Sequence, residues 1–239
     1  GAGAGRSGWR GYRPFGLMEQ AKAHVAPGCR RLAVFGGQWL GWPMTWTICT
    51  GVRTLFSIPS EFAEKGIHFA PTNVEPKRFQ VVGERSSGTN YISRLLGQNT
   101  GLKPSTALGW KHGPVQAVAI PADLVVVVAV RRAEDWVRSM FAKPWHARRQ
   151  LQTLDFSDFL RAPWETVADR TRYFEGFLGG LERYQPLQLD RDPLTGRAYA
   201  NLMALRRGKL AAHLSYSNRG CAFCLARLEE VNVGPERFV

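Results

Sequence analysis

The chain has 239 residues, with 32 Lys+Arg against 19 Asp+Glu for a formal net charge of +13. Hydrophobic residues make up 44% of it, which excludes a wholly disordered chain, and the length is enough to bury a core without metal or disulfide staples. A pI of about 10.2 calls for an anionic partner: a nucleic acid, a membrane surface, or a phosphorylated or sulfated small molecule.

The opening GAGAGRSGWRGYRPFG is rich in Gly and Arg and reads as flexible, with Met18 and Met44 as candidate starts. Leu32 to Val52 carries no charged residue and is flanked by Arg30, Arg31 and Arg53. Its length suits a membrane span, but Gly36, Gly37, Gln38, Gly41 and Pro43 interrupt it and no Leu/Ile/Val block is sustained. Cys29, Cys49, Cys221 and Cys224 are too few for a disulfide scaffold and fit reduced thiols. The expectation is a cytoplasmic protein, with a membrane anchor through residues 32–52 as the alternative. Residues 1–75 carry no chemical motif and are taken as an N-terminal leader, flexible or unassigned; residues 76–239 are taken as one α/β domain.

From Lys77 the pattern becomes readable. Phe79-Gln80-Val81-Val82 is a short apolar run ending at Gly83, followed by Glu84-Arg85-Ser86-Ser87-Gly88-Thr89-Asn90 and then apolar residues at 91, 92, 95 and 96. This predicts strand, glycine-containing loop, helix. Such a unit binds anions, because the helix N-terminus presents unpaired N–H groups and the positive end of its dipole. Gly88 permits close backbone approach, Ser86, Ser87 and Thr89 add hydroxyls, and Arg85 adds charge. An ordinary capped turn is the competing reading of the same residues.

Gly109-Trp110-Lys111-His112-Gly113-Pro114 places a Lys beside a His in a tight loop, available for anion stabilisation and proton transfer. Leu124 to Val130 is an unbroken, largely β-branched run that predicts a strand buried on both faces. It ends at Arg131-Arg132, and Ala133 to Phe141 opens a helix with acidic residues in its first turn. Strands each followed by a helix argue for an α/β parallel sheet, whose ligands bind beyond the carboxyl ends of the strands. Both polar clusters, 83–90 and 131–139, sit at such ends.

Further along, Pro144-Trp145-His146 reads as a helix stop with aromatic packing or as part of an acceptor pocket. Asp155 or Ser157 is expected to cap a helix, and Gln185 to Gly196 to form a long loop. Cys221-Ala222-Phe223-Cys224 lacks a second ligand pair for zinc and lies in alternating apolar text, so a core strand is expected there and no metal.

Taken in order, these motifs resemble those of the 3′-phosphoadenosine-5′-phosphosulfate (PAPS)-dependent sulfotransferases. That family carries a strand–loop–helix of the form P-K-S-G-T-T-W, then a loop with K-x-H, then a strand ending R-x₇-S. Arg85 to Tyr91 matches the first, Lys111-His112 the second less one residue, and Arg131 with Ser139 the third at its spacing. The ERSSGTN loop with a following W-K-H also resembles a group of sulfotransferase-like proteins. Asn201 to Lys209 resembles a helix before the third core strand, and Cys221 to Val231 with Gly234 to Phe238 resembles a late passage of the family. The likeness covers roughly residues 77–239.

The resemblance implies a P-loop-like three-layer fold, with a central parallel sheet flanked by helices. It implies transfer of a sulfuryl group from PAPS to a hydroxyl acceptor, a small molecule or a carbohydrate, without a metal. Ser86, Ser87, Gly88, Thr89 and Asn90 would wrap the 5′-phosphosulfate, and Tyr91 would stack on adenine. Arg131 and Ser139 would hold the 3′-phosphate, His112 would be the general base, and Lys111 would stabilise charge on the transferring group. The sequence departs from the family at several points. Ser86 stands where the loop lysine belongs, so its charge must come from Arg85 or Lys111. Leu228 stands where an adenine-side tyrosine belongs. The family's later glycine-rich R-K-G passage would lie beyond Val239, which leaves the domain open to truncation at that end.

The nearest rival is a P-loop kinase, but Thr89-Asn90 stands where such a loop carries Lys-Ser/Thr. A nucleic-acid-binding protein rests on charge and tryptophans alone, with no recognition motif, and neither a nucleic-acid nor a membrane partner is expected. A catalytically inactive nucleotide-binding protein is the remaining alternative.

Overall fold

The computed structural model describes residues 58–175, 180–192 and 195–239. Its framework is a mixed α/β arrangement around a five-stranded, mostly parallel sheet. The strands are β1 (Ile67–Ala70), β2 (Arg78–Gly83), β3 (Lys103–Pro104), β4 (Leu124–Val130) and β5 (Ala222–Arg227), in the spatial order β1-β5-β4-β2-β3. β2, β4 and β5 run parallel, with Val82 opposite Val128 and Val128 opposite Leu225. The expected parallel sheet is found from β5 through β3, with one antiparallel strand added at an edge. β1 pairs antiparallel with β5, and it comes from residues assigned to the leader by sequence. A short helix, α1 (Ser60–Lys65), precedes it, and the turn between them needs Gly66 at φ +70.

The central strands are apolar on both sides because both faces are covered. On one face Phe79, Val81, Val125, Val127, Ala129, Cys224 and Ala226 pack with Ile92 and Leu96 of α2 (Thr89–Asn99). On the other, Val82, Val126, Val128, Phe223 and Leu225 pack with Phe62, Leu108 and Tyr216. A separate helical core joins α3 (Ala133–Ala142), α4 (Phe156–Arg161) and α5 (Leu202–Leu214) around Trp136, Met140, Phe159, Trp164 and Tyr199. Asp155 caps α4 by accepting from the Asp158 N–H, and Asn201 caps α5 by accepting from Ala204. A last short helix, α6 (Leu228–Val233), follows β5. Cys224 is buried within β5, where burial pushes its thiol up to about 12.

Among the described residues no helix is long and apolar enough to cross a membrane, and no group of three or more His, Cys, Asp or Glu could hold a metal ion. The candidate anchor at 32–52 lies outside the described residues, as do Cys29 and Cys49.

Candidate functional site

β2 ends at Gly83, and α2 begins at Thr89 after a loop of five residues. Glu84, Arg85 and Ser87 are buried, Ser86 takes φ +65 and Gly88 φ +83. The two left-handed residues fold the loop over the carboxyl end of the sheet. Gly88 has a further reason to be glycine: a Cβ there would meet Leu228 Cδ1 at 2.4 Å. Leu228 thus packs onto the loop from the start of α6. No side chain caps α2, in contrast to α4 and α5. Its first N–H groups are therefore left for water or an anion.

The Lys111-His112 loop is laid against β2 by the strand itself. The buried Gln80 side chain accepts from the Leu108 N–H at 2.8 Å and donates to the Gly109 carbonyl at 2.9 Å. The Gly83 N–H donates to Lys111 O at 2.9 Å, and His112 Nδ1 lies 2.7 Å from Gly83 O. A carbonyl can only accept, so Nδ1 carries the proton and Nε2 of the neutral ring holds a lone pair. Burial holds His112 well below its ordinary range; the Lys111 charge acts in the same direction, against the Gly83 hydrogen bond. Lys111 Nζ donates to Asn90 Oδ1 in the first turn of α2, and burial lowers its basicity too. A cation and a neutral imidazole are thereby fixed beside the uncapped helix terminus.

The remaining sequence candidates divide. Arg85 does not bring charge to the loop. Its guanidinium is 4% exposed, pairs with Asp190 at 3.0 Å, donates to Thr166 Oγ1 at 3.3 Å and lies near the Trp110 and Trp164 rings. Of the two cations offered in place of the missing lysine, only Lys111 stands at the helix terminus. Ser87 is wholly buried and its hydroxyl donates to Glu84 O at 2.7 Å, so it closes the loop on itself. Thr89 is buried, Asn90 is exposed and holds Lys111, and Tyr91 is 41% exposed. Arg131 is brought to the loop from the end of β4. Its Nη1 donates to Ser86 O at 3.2 Å, and its Nε, 3.7 Å from Glu229, is buried without a hydrogen bond. Ser139 sits half-buried on α3, and among the described residues no hydrogen bond joins it to Arg131.

Several further buried groups organise the site; the sequence reading does not single out Lys209, Arg206 or Asp169, whereas it takes His146 as helix-stop packing or part of an acceptor pocket. Lys209, on α5, pairs with Asp190 and donates to His112 O at 2.8 Å. Arg206, one turn earlier, pairs with Glu84 at 3.1 Å and donates to Arg131 O at 2.8 Å. Burial pushes the Glu84 carboxyl up to about 8 against these cations. Trp136 Nε1 donates to Arg85 O at 2.7 Å. Trp110 is a shared wall: His112, His146 and Phe174 meet its ring edge-on at 5.7, 5.9 and 5.5 Å. His146 itself is held by Asp169, Nδ1 to Oδ1 at 2.7 Å. A cavity of about 310 Å³ between α3 and α4, lined by Ala133, Glu134, Val137, Arg138 and Phe156, includes none of these residues.

The chain matches no protein-family model, no curated protein and no solved structure.

Proposed function

We propose that the domain is a P-loop-like, PAPS-dependent sulfotransferase acting on a hydroxyl acceptor. The observation that carries this reading is the docking of His112 on Gly83, with Lys111 on Asn90, beside the uncapped start of α2. This arrangement joins an anion site, a cation and a free imidazole nitrogen on one strand–loop–helix unit. The residues present fit the donor in part. The α2 N–H groups and Lys111 would hold its phosphosulfate, Tyr91 has the exposure needed to stack on a base, and Arg131 Nε, ion-paired with Glu229 but making no hydrogen bond, has one to give to a phosphate. Arg85 and the Ser87 hydroxyl are already committed and would serve only as scaffold.

PAPS would supply the sulfuryl group, and an oxygen nucleophile would attack it in line. In the protein, backbone N–H groups and Lys111 would stabilise charge as it shifts to the leaving oxygen. His112 Nε2 would accept the proton of the acceptor hydroxyl while its Nδ1–H stays on Gly83. The weak basicity imposed on His112 keeps it neutral, hence competent as a base, throughout the neutral pH range.

The discriminating experiment is a thermal shift with adenosine 3′,5′-bisphosphate set against ATP–Mg²⁺. Stabilisation by the first and not the second is expected. Stabilisation by ATP–Mg²⁺ alone would favour the kinase reading, and a shift with neither would remove the nucleotide site.

A further inference from the structure

His146 lies outside the motifs that carry the resemblance, yet the fold fixes it from several sides. Its backbone sits at φ +58, a left-handed conformation that is unfavourable for a non-glycine residue and persists only where the surroundings impose it. Asp169 imposes it here. Its Oδ2 accepts the His146 backbone N–H at 3.1 Å, and its Oδ1 accepts the ring Nδ1–H at 2.7 Å. The His146 carbonyl accepts from Val167 at 2.9 Å. The ring is wedged edge-on against Phe174 at 4.9 Å, Trp110 at 5.9 Å and Tyr173 at 6.2 Å. Nε2 makes no hydrogen bond to a described residue.

A carboxylate that locks one imidazole nitrogen, and so the tautomer, while the other stays free is the arrangement a proton acceptor needs. His112 lacks that support: its Nδ1 rests on a neutral carbonyl and Lys111 stands beside it. Burial, with the Arg85 and Arg170 cations, holds His146 below its ordinary range, and Asp169 works against this by favouring the charged ring; Arg170 is stacked over Trp145 at 3.8 Å. The His112 and His146 rings lie against the same Trp110 ring, and His146 is the smallest of the influences that disfavour charge on His112.

We propose that His146, oriented by Asp169, is a second proton acceptor of this site. The identity of the hydroxyl it deprotonates rests on the sulfotransferase reading; the geometry does not. Where His146 acts in place of His112, the acceptor O–H bond breaks and its single proton passes to His146 Nε2. The freed oxygen forms the new bond to sulfur as the bond to the leaving phosphate oxygen breaks. Asp169 stays ionised throughout.

The test begins on the unaltered chain. Diethyl pyrocarbonate acylates a free, neutral imidazole nitrogen, and peptide mass mapping locates the product. His146 is expected to be modified, at a rate that falls on acidification. In Asp169→Asn that fall is expected to move to lower pH, because the charge favouring the protonated ring is gone. A His146 that stays unmodified while His68 reacts, or an unmoved midpoint in Asp169→Asn, overturns the proposal. In a turnover assay His146→Gln is expected to lose roughly 10²-fold in kcat, and Asp169→Asn to shift the acid limb of kcat/KM downward. A loss equal at every pH would instead mark a structural role and overturn it. If no sulfuryl transfer occurs with any acceptor, the sulfotransferase reading fails, and the labelling result alone decides His146.

Discussion

Lys209 Nζ donates to the backbone carbonyl of His112 at 2.8 Å, across 97 residues of sequence. The same ammonium pairs with Asp190, and Asp190 pairs with Arg85 at 3.0 Å. One buried carboxylate therefore ties the loop after β2, the loop bearing the imidazole, and α5 into a single unit. Its strength lies in completeness: each buried charge is tolerable only while its partner is present.

Asp190→Asn should therefore be costly. Two cations would remain in the interior facing a neutral amide, and removal of one partner from a buried pair costs about 3–5 kcal/mol. Urea unfolding measures this, and a loss below about 1 kcal/mol would mean that water reaches the network.

Gly88→Ala should fail for two separable reasons, the φ of +83 and the 2.4 Å approach to Leu228 Cδ1. Overpacking of this kind costs about 1–3 kcal/mol. Adding Leu228→Ala makes room for the methyl group but leaves the backbone strain. The double variant should recover part of the bisphosphate affinity lost in Gly88→Ala, as read by calorimetry. No recovery would assign the whole defect to the backbone.

His112→Ala should abolish most turnover, by roughly 10²–10⁴-fold, and leave adenosine 3′,5′-bisphosphate binding largely intact. The separation follows from geometry, since the N–H groups of α2 do not depend on the imidazole. Near-normal turnover in the variant would remove His112 as the base.

Acid should destabilise the fold partly through His213. Its Nε2–H donates to Gly113 O at 3.0 Å while Nδ1 is buried without a partner, and burial pushes the ring down to about 3. The unfolded chain, with an ordinary histidine near 6.5, binds more protons between those values. The stability that neutral His213 contributes is thus present above about 6.5 and lost as pH falls toward about 3, at roughly 1.4 kcal/mol per pH unit. His213→Gln should lose that dependence. Measured against the unaltered chain, its relative stability should rise on acidification below pH 6.5, and a constant difference would contradict the assignment.

Much of the framework was legible because it is local. The runs 79–82 and 124–130 are apolar enough to dictate buried strands, and Ala133 to Phe141 repeats with helical spacing. Of the two caps read for α4, Asp155 or Ser157, Asp155 is the one used. The antiparallel edge was not legible, because β1 is only four residues long, too short for its pattern to identify a strand, and it gains its place by pairing with β5. In the site, Lys111 and His112 stood out through their adjacency to glycines. Arg85 could not be resolved from sequence: beside a glycine loop it reads as a ligand, and only Asp190, in a long loop, shows where its charge goes. Lys209, Arg206 and Asp169 carried no local signal either. Each is a charged residue of ordinary appearance, made distinctive by what the tertiary fold brings against it.

The Arg85–Asp190 pair also sets an order of assembly. The partners are separated by 105 residues, whereas β2 and β4 have far less chain between them. As the chain leaves the ribosome, the parallel strands and α2 can meet early, but the Arg85 guanidinium has no counter-charge until residue 190 has been made and docked. Until then it must stay in water, with its loop unfixed. The anion loop, encoded near the start of the domain, is thus among the last parts to acquire its working shape.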